Sequence, residues 1–428
     1  GEAAAGLDEL VVPLEEVAGV LFKEVREGSS LVLADRANRA VVTVPGWGGP
    51  QLRDSCRLAA ELGGLHVERL VGEAAAVALD FAERRPSVRG TVLVVSLGAG
   101  LLDLALVRVE AGRVRVQTVG GTFDVGGVDF DRALESVFVE AVEDATGERP
   151  AETPDFWARL ISTARRVKER LSDADEVVGE LVQPLPNGQA FRLEVDVRRA
   201  SAEVAWAPYV DRVLEELEAL LERSDYDHVD AVLAGGGQMR MPALRARIQR
   251  LLPSSDWFDA DEGAAARGAA ILGRRSASGE LPGLVEPAPR ALAVASRGVE
   301  ARLVFRAGIS MPSSRELTMP VRGGGEVVLL QSGPVPDAGW TAIGRLDLDL
   351  AGQDHVNLRL SLAADGQLGI IGEVPGADWR PVGLEAVEDA QRSDPWWADL
   401  ELRSEGASDP GAAERGFVGW LRRRLRPR

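Results

Sequence analysis

The spacing of apolar residues predicts alternating strands and helices in the first part of the chain. Between Pro13 and Arg26, apolar side chains recur at the three- and four-residue intervals of an amphipathic helix. Residues 40–45 form an apolar run that a proline closes, which is typical of a buried strand. Helices over 50–62 and 73–81 follow, with a short strand over 66–71 between them. This order predicts an α/β domain.

The pattern continues with three strands and a series of helices. The strands cover 91–96, 101–110 and 114–119, and the last two are joined by the hairpin turn Glu110-Ala111-Gly112. Helices are predicted over 127–146, 154–171 and 201–223, with a strand pair over 176–182 and 191–195 before the last of them. A strand over 229–233 then runs into Gly235-Gly236-Gly237, and Pro242 opens another helix. Glycine access and helix N-terminal N–H groups coincide here, so this junction is a candidate anion site.

The composition changes over residues 274–289, RRSASGELPGLVEPAP, which predicts a linker. Beyond it the pattern predicts six short strands, over 293–304, 315–321, 326–331, 342–350, 356–363 and 369–373. Their spacing is typical of an all-β sandwich, which we assign to residues 290–375. Residues 376–428 are predicted to be an irregular tail with a short basic amphipathic helix over 417–426.

Charge and cysteine content narrow the classes of function. The 428 residues include 49 basic and 67 acidic side chains, and the net charge of −18 argues against nucleic acid as a partner. Cys56 is the single cysteine, so an intrachain disulfide is excluded. The sequence shows neither a signal-peptide pattern nor an apolar stretch of membrane length, and we expect a cytoplasmic protein without a transmembrane segment.

Residues 94–103, VVSLGAGLLD, place Gly98 and Gly100 in a tight turn between two apolar runs. Such a turn lets backbone N–H groups approach the oxygens of a phosphate. An ordinary tight turn between two core strands explains the same pattern, and the local residues alone favour that ordinary turn.

Several motifs in the same order resemble the heat-shock protein 70 (DnaK-type) chaperone family. They are residues 39–81, residues 120–134 (GGTFDVGGVDFDRAL), residues 164–172 (ARRVKERLS), residues 233–248 (LAGGGQMRMPALRARI) and residues 261–273 (DEGAAARGAAILG). The resemblance implies an actin-like ATPase (ribonuclease H-like) nucleotide-binding region over 1–273, followed by a peptide-binding β-sandwich.

The resemblance also implies roles for individual residues. Glu73 resembles the acid near the metal-bound waters, and Pro45 resembles the switch proline. Contact with ATP or ADP, with or without Mg²⁺, is implied for Gly98, Gly100, Lys168, Ser172, Gly236, Gly237, Arg240 and Asp261. No protein ligand to a metal is predicted, because no cluster of His, Cys and carboxylate residues has ligand spacing.

Four positions in the nucleotide region depart from the family pattern. Ser96 stands where the family has an Asp that organises Mg²⁺ waters, and Leu101 where it has a Thr whose hydroxyl meets the γ-phosphate. Ala99 replaces a glycine of the turn, and Arg165 replaces an acid of the adenosine helix. Losing a carboxylate and a hydroxyl removes electrostatic stabilisation on which phosphoryl transfer depends. We therefore expect weak or absent ATP hydrolysis.

Further departures concern the two ends of the resemblance. The family's first phosphate hairpin and a following lysine have no counterpart before Leu14, and the chain opens with Gly1. The simplest expectation is an incomplete nucleotide-binding region, with an upstream segment on the order of 100 residues missing. In the second half, Glu300 falls where the family has an apolar arch residue, and the linker lacks the family's leucine-rich acidic run.

Three hypotheses for function remain open. In the first, a divergent chaperone-like protein binds adenine nucleotide and extended or unfolded polypeptide segments, together with co-chaperones. In the second, a non-enzymatic scaffold keeps the actin-like fold as a protein-interaction surface and binds no cofactor. The third, an active kinase or ATPase, needs the upstream segment and a substitute for the missing Asp.

Overall fold

The structure is a computed structural model of the 428-residue chain. It describes residues 4–7, 10–33, 36–147, 149, 153–184, 190–224, 226, 228–321, 326–333, 339–346, 348, 352, 354–373 and 380–385. The predicted tail helix over 417–426 lies outside these residues. Within them, no helix combines the length and apolar character needed to cross a membrane.

The described residues form eight α-helices and twenty-one strands. The helices are α1 Leu14–Leu33, α2 Pro50–Leu62, α3 Glu73–Arg84, α4 Gly127–Thr146, α5 Pro154–Arg170, α6 Arg199–Arg223, α7 Pro242–Leu251 and α8 Ala264–Ser278, with a 3₁₀ turn at Gly237–Arg240. The first twelve strands are β1 Ala4–Leu7, β2 Leu10–Pro13, β3 Arg39–Val44, β4 His66–Gly72, β5 Arg89–Leu97, β6 Leu102–Glu110, β7 Arg113–Thr122, β8 Glu176–Pro184, β9 Ala190–Arg198, β10 Ala231–Gly235, β11 Asp256–Asp259 and β12 Leu284–Val285. The others are β13 Leu292–Ser296, β14 Val299–Phe305, β15 Ser313–Pro320, β16 Val327–Ser332, β17 Trp340–Leu346, β18 His355–Leu362, β19 Leu368–Glu373, β20 Arg380–Pro381 and β21 Leu384–Glu385.

A six-stranded sheet in the order β11-β10-β5-β6-β7-β12 carries the two glycine bends. Helices α4 to α7 cover one face and α3 and α8 cover the other, so β5 is an almost continuous apolar run. Strand β10 is parallel to β5, with Gly235 opposite Ser96. The carboxyl ends of the two strands therefore meet at one edge of the sheet, and both glycine bends lie there.

A separate parallel pair, β3 and β4, carries α2. Helix α1 packs mainly on α2, and its Phe22 also contacts the apolar cluster formed by this pair and α2. Gly19 of α1 permits this close packing, because a Cβ there would lie 3.0 Å from the Leu62 Cβ. The predicted amphipathic helix is confirmed, but its apolar side is open: Val20, Leu21 and Val25 are 60–67% exposed.

Two antiparallel sheets, which we call the paired sheets, follow the helical part. Their strand orders are β14-β13-β16-β17-β21 and β15-β18-β19-β20. Leu292 and Leu329 of the first sheet share one apolar core with Met319 and Leu358 of the second. The single strand predicted over 293–304 is wrong, because the chain turns at Gly298, where φ is +69°, and forms the hairpin β13–β14.

The segment predicted to be a linker, 274–289, contains regular structure. Helix α8 continues to Ser278, and β12 pairs in parallel with β7 of the six-stranded sheet. Glu286 follows β12 and is 3% exposed, and its Oε1 accepts a hydrogen bond of 2.8 Å from the Gly72 N–H. This segment is thus held against the helical part of the chain.

Candidate functional site

An open cleft of about 460 Å³ lies beside the edge where the two glycine bends meet. This volume is within the range of small-molecule sites. Five of the predicted nucleotide-contact residues line it: Gly98, Lys168, Ser172, Gly237 and Arg240. Gly100, Gly236, Asp261, Glu73 and Pro45 are not among the lining residues.

Gly236 brings the second bend into contact with the first. Its φ is +81°, and a Cβ at this position would lie 2.2 Å from the Leu97 carbonyl oxygen. Only glycine satisfies both conditions without displacing the backbone. Gly237, the next residue, has open space where a Cβ would be, so its backbone faces the cleft without a steric need for glycine.

The first bend, over 97–102, is bound to the start of α4. The N–H groups of Gly127 and Val128 donate to the carbonyl oxygens of Gly98 and Ala99, at 2.9 and 2.8 Å. Donors at the N-terminus of a helix commonly serve anions, but these two are already used. At Gly98 a Cβ would meet no atom within 4 Å, and Gly100 has the same open space. This bend therefore offers room for a ligand rather than a ring of free donors.

Lys168 on α5 lies against a buried carboxylate. Its Nζ is 2.7 Å from Asp131 Oδ1 and donates to the Gly127 carbonyl at 2.8 Å. Arg165, one turn earlier, donates from Nε to Asp131 Oδ2 at 3.3 Å. Asp131 is 1% exposed, so one carboxylate on α4 positions two cations on the wall of the cleft.

Arg240 lines the cleft, whereas Asp261 does not, although the next residue, Glu262, does. The Arg240 side chain is 73% exposed, and its guanidinium is 4.0 Å from Glu262. Asp261 accepts two hydrogen bonds from Arg267, at 2.7 and 2.9 Å. The hydrogen bond from Arg267 holds the pKa of Asp261 below its usual range. Arg240 is thus an exposed cation on the cleft, whereas Asp261 is already bound within the protein.

Glu73 begins α3 beneath the first bend. Ser96, at the end of β5, donates from Oγ to Glu73 Oε1 at 2.8 Å. The hydroxyl therefore bonds the carboxylate that the sequence analysis placed near metal-bound water. Ser96 is 3% exposed and Glu73 is half-buried, and neither is among the residues that line the cleft.

Asp103 joins the Pro45 turn to the helix that carries Glu73. Its Oδ1 accepts from the Gly46 N–H and its Oδ2 accepts from the Ala74 N–H, both at 3.0 Å. The carboxyl is completely buried, and burial is the main reason why its pKa is raised to about 7. The two hydrogen bonds hold the proline turn and the start of α3 in fixed relation.

The residues around Glu73 fit Mg²⁺ poorly. Mg²⁺ prefers oxygen ligands in octahedral geometry and usually keeps several waters. Both Asp103 oxygens accept backbone N–H groups, and Ser96 bonds Glu73. The part of the cleft formed by Lys168, Ser172 and Gly237, by contrast, has space and polar groups for a sugar and a base.

Helix α2, which follows the Pro45 turn, contacts the paired sheets. Arg57 Nη2 lies 2.6 Å from Asp365 Oδ2, with both side chains mostly buried. Arg53 Nη1 donates to the Asp365 carbonyl at 2.7 Å, and Gln51 Nε2 donates to the Ile343 carbonyl at 3.1 Å. One helix therefore connects the neighbourhood of Asp103 to the second half of the chain.

Sequence reasoning did not identify Asp131 and Asp103, which organise the site. Asp103 lies in the motif over 94–103 and Asp131 in the motif over 120–134, but the partners of both are distant along the chain. Asp131 pairs with Lys168, and Asp103 accepts a hydrogen bond from Gly46. A usable signal was present, because an acid flanked by apolar residues on a buried strand or helix needs bonded partners.

Comparison with known proteins agrees with the resemblance seen in the sequence. A family model described as "Hsp70 protein" matches residues 5–279. Heat shock 70 kDa protein 14 of Rattus norvegicus is 28% identical over 347 residues, which cover 77% of this chain and 67% of that protein. Chaperone protein HscA homolog of Methylibium petroleiphilum is 30% identical over 319 residues, 73% of this chain and 50% of that protein. Chaperone protein dnaK1 of Parasynechococcus marenigrum is 29% identical over 249 residues, 56% of this chain and 36% of that protein.

The nucleotide-binding part of Hsp70 proteins has the actin-like ATPase fold, and the mixed α/β architecture described above is of that class. Because the family model covers more than half of the residues, the chain belongs to the Hsp70 family, and this prediction is confirmed. Members of the family are chaperones that bind ATP or ADP with Mg²⁺ and act on polypeptides with co-chaperones. The chain spans between 36% and 67% of the length of the three relatives named above.

Proposed function

We propose that this chain is a divergent Hsp70-type chaperone that binds adenine nucleotide in the cleft and extended polypeptide segments in its second half. Co-chaperones complete the proposed set of partners. The observation that supports nucleotide binding best is the meeting of the two glycine bends at a cleft that Lys168, Ser172 and Arg240 line. Room for a purine, a sugar-side cation and an exposed guanidinium suit adenosine.

Weak or absent hydrolysis is the second part of the proposal. Ser96 carries no negative charge for the waters around Mg²⁺, and its hydroxyl bonds Glu73 at 2.8 Å. Leu101, in the bend, has no hydroxyl for a γ-phosphate. Both changes remove stabilisation at the place where charge moves during phosphoryl transfer. The nucleotide then acts as a bound ligand rather than as a substrate.

Polypeptide binding is assigned to a β-sandwich that the paired sheets form over residues 290–375. Strands with exposed edges bind extended segments through backbone hydrogen bonds, and an apolar pocket selects side chains. Glu300 on β14 is exposed and stands where the family has an apolar residue. A carboxylate at this place disfavours an apolar segment, which is consistent with altered client preference.

Titration calorimetry with ADP, with and without Mg²⁺, tests nucleotide binding. We expect a dissociation constant of about 1 μM, corresponding to about −8 kcal/mol. Lys168→Met should weaken binding about tenfold, because it removes a charged donor from the cleft. The matched control is Lys23→Met, since Lys23 is an exposed lysine on α1. Equal affinity of the two variants would contradict the assignment of the cleft.

Phosphate release assays test the loss of hydrolysis. The double variant Ser96→Asp with Leu101→Thr restores the missing charge and hydroxyl. In a protein that includes any residues encoded upstream of Gly1, we expect the double variant to gain turnover that depends on Mg²⁺. Without Mg²⁺, a carboxylate introduced at position 96 beside Glu73 should instead destabilise the chain, because the two negative charges repel. Turnover by the unaltered chain at the rate of an ordinary Hsp70 chaperone would overturn this part of the proposal.

One observation favours the scaffold alternative. Within the described lining of the cleft, the carboxylates of Asp131, Glu169, Asp173 and Glu262 outnumber the cations of Arg165, Lys168 and Arg240, so little positive charge is left for phosphates. A chain that binds neither ADP nor ATP in the calorimeter, yet remains folded, would be the result expected of a scaffold.

Fluorescence anisotropy with a labelled, leucine-rich extended peptide tests the proposed polypeptide binding by the paired sheets. Glu300→Leu should tighten peptide binding several-fold, because it removes a charge that an apolar segment must desolvate. Glu280→Leu is the matched control, since Glu280 is an exposed acid outside the paired sheets. An equal change in both variants would exclude a specific role for Glu300.

A further inference from the structure

The first of the paired sheets is apolar on both of its faces. Leu292, Val294 and Leu329 belong to the core that the two sheets share. The residues that alternate with them form a second apolar cluster on the opposite side of the sheet, which we call the outer face. Its members are Ala293, Ala295, Ala301, Val328, Leu330 and Ala342.

The outer face is shielded from solvent. Ala293, Ala295 and Val328 are 0% exposed, and all five residues of β13 are buried. The second sheet differs, because residues along β18 alternate between half-buried and buried. Such alternation is usual where an antiparallel sheet has one face open to water. Another part of the chain therefore lies over the outer face of the first sheet.

The described residues supply little of this cover. Trp340, at the start of β17, is the one partly buried apolar side chain among them that packs against the outer face. The face extends over the four strands β14, β13, β16 and β17, which is about 14 Å across at the usual strand spacing. One indole at the end of one strand is too small to cover it. Most of the cover therefore comes from residues outside the described ranges.

The last described strand shows where the chain leaves the described residues. Strand β21 pairs with β17, with Leu384 opposite Leu346 and Glu385 opposite Arg345. Because the pairing is antiparallel, the chain at Glu385 is directed toward the Trp340 end of β17. Residues 386–428 thus begin at an edge of the sheet whose outer face is covered.

Residues 395–402, PWWADLEL, have a pattern that suits this face. The even-numbered residues from Trp396 to Leu402 are all apolar. Of the three residues between them, two are the acids Asp399 and Glu401. In an extended chain, successive side chains point to opposite sides, so this segment would have one apolar side. The alanines of the outer face leave room for its large side chains.

We propose that residues 395–402 pack in extended form across the outer face and supply its cover. The stretch from Glu385 to Trp396 spans up to roughly 35 Å, which is more than the width of the sheet. A segment that is close to β21 in sequence loses less chain entropy on docking than a later one such as residues 417–426. Burial of its apolar side stabilises the paired sheets. This packing does not depend on nucleotide or polypeptide binding.

Photo-crosslinking of the full chain locates the segment. The photoreactive residue p-benzoylphenylalanine, placed at position 396 instead of Trp396, should form crosslinks to peptides that contain residues 292–301, 327–332 or 340–346. The same residue placed at position 420 instead of Trp420 is the matched control and should not react with these peptides. Mixing isotope-labelled with unlabelled protein shows whether a crosslink joins one chain or two.

Hydrogen exchange measures how much the segment protects the sheet. Trp396→Ser combined with Leu400→Ser should speed amide exchange in β13 and β16 about tenfold, because the outer face loses its cover. Trp420→Ser combined with Leu421→Ser removes the same two types of side chain elsewhere in the tail, and it should leave this exchange unchanged. Circular dichroism verifies that each variant is folded.

Three results would overturn the proposal. They are the lack of any crosslink from position 396 to the three peptides, crosslinks that join two chains rather than one, and equal exchange rates in the two double variants. Crosslinks to the sheet from position 420 alone would assign the cover to the end of the tail instead.

Discussion

Replacing Asp103 by asparagine tests the electrostatics beneath the first glycine bend. The carboxyl is completely buried, and burial, with a smaller contribution from Glu73, raises its pKa from 3.8 to about 7. Its bonds to the Gly46 and Ala74 N–H groups favour the charged form but do not offset burial. A carboxyl with a higher pKa in the folded chain binds its proton more tightly there than in the unfolded chain. The folded state is therefore stabilised at low pH and loses that advantage as the pH rises through about 7.

The size of the effect follows from the two pKa values. Between about pH 4 and about pH 7 the folded chain holds one proton more than the unfolded chain, so each pH unit lowers the free energy of unfolding by about 1.4 kcal/mol. Integrated from about pH 5 to about pH 8, the loss through Asp103 is about 2–3 kcal/mol. Asparagine does not ionise, so the unfolding free energy of Asp103→Asn does not contain this pH-dependent contribution.

Urea denaturation at a series of pH values measures the difference in unfolding free energy between Asp103→Asn and the unaltered chain. The variant loses one accepted hydrogen bond, which gives a constant offset of about 1–3 kcal/mol against it. We expect this disadvantage to shrink by about 2–3 kcal/mol from about pH 5 to about pH 8. Asp124→Asn is the control, since the Asp124 side chain is 75% exposed. A difference that stays constant with pH would refute the assignment of a raised pKa to Asp103.

Two further changes test the backbone contact at the bends and the contact between the halves. Gly236→Ala places a Cβ 2.2 Å from the Leu97 carbonyl oxygen, so we expect a loss of about 2–4 kcal/mol in unfolding free energy and weaker ADP binding. Gly237→Ala is the control: a Cβ there has open space, so the loss in unfolding free energy should be under about 1 kcal/mol. In a double-mutant cycle, Arg57→Met and Asp365→Asn should show a coupling energy of about 1–3 kcal/mol in the unfolding free energy, because their 2.6 Å ion pair is mostly shielded from water. Additive effects of the two substitutions would contradict a direct interaction.

Much of the fold follows from local pattern. Helix α4 covers Gly127–Thr146 and α2 covers Pro50–Leu62, as the spacing of apolar residues predicts. Turn chemistry is equally local: Ala111 and Gly112 both have positive φ, which the hairpin between β6 and β7 requires. These features depend on residues within a few positions of one another, so sequence alone determines them.

The packing of α1 is a feature that the local sequence pattern does not predict. Its periodicity predicts a helix, but the periodicity does not say what covers the apolar side. In the structure α1 contacts α2 through Gly19, and Val20, Leu21 and Val25 remain largely exposed. Which neighbour a helix finds depends on the order of strands in the sheet below it, and that order is a long-range property.

The buried acids are the second limit of sequence reasoning. Asp103 stands within the apolar run 101–106 and Asp131 follows Phe130, but the local sequence does not identify the partners of either acid. The structure buries both, at 0% and 1% exposure. Their stabilising partners are backbone N–H groups 29 and 57 residues away for Asp103, and Lys168 and Arg165 for Asp131. Such pairings arise from the fold: an acid among apolar residues indicates that it needs partners, but the local sequence does not say which residues they are.

The distribution of charge along the cleft leads to an expectation about nucleotide preference. Within the described residues, the cations that line it are Arg165, Lys168 and Arg240. Asp131 pairs with the first two, and Glu169, Asp173 and Glu262 add further negative charge to the lining. Arg240 lies beside Gly237, on the side proposed for the base. A γ-phosphate near the first bend would gain no charged partner from these residues, so ATP should bind about as tightly as ADP. Calorimetry with each nucleotide measures the ratio of the ATP and ADP dissociation constants. A preference for ATP of more than about tenfold would show that a cation not assigned to the cleft reaches the γ-phosphate.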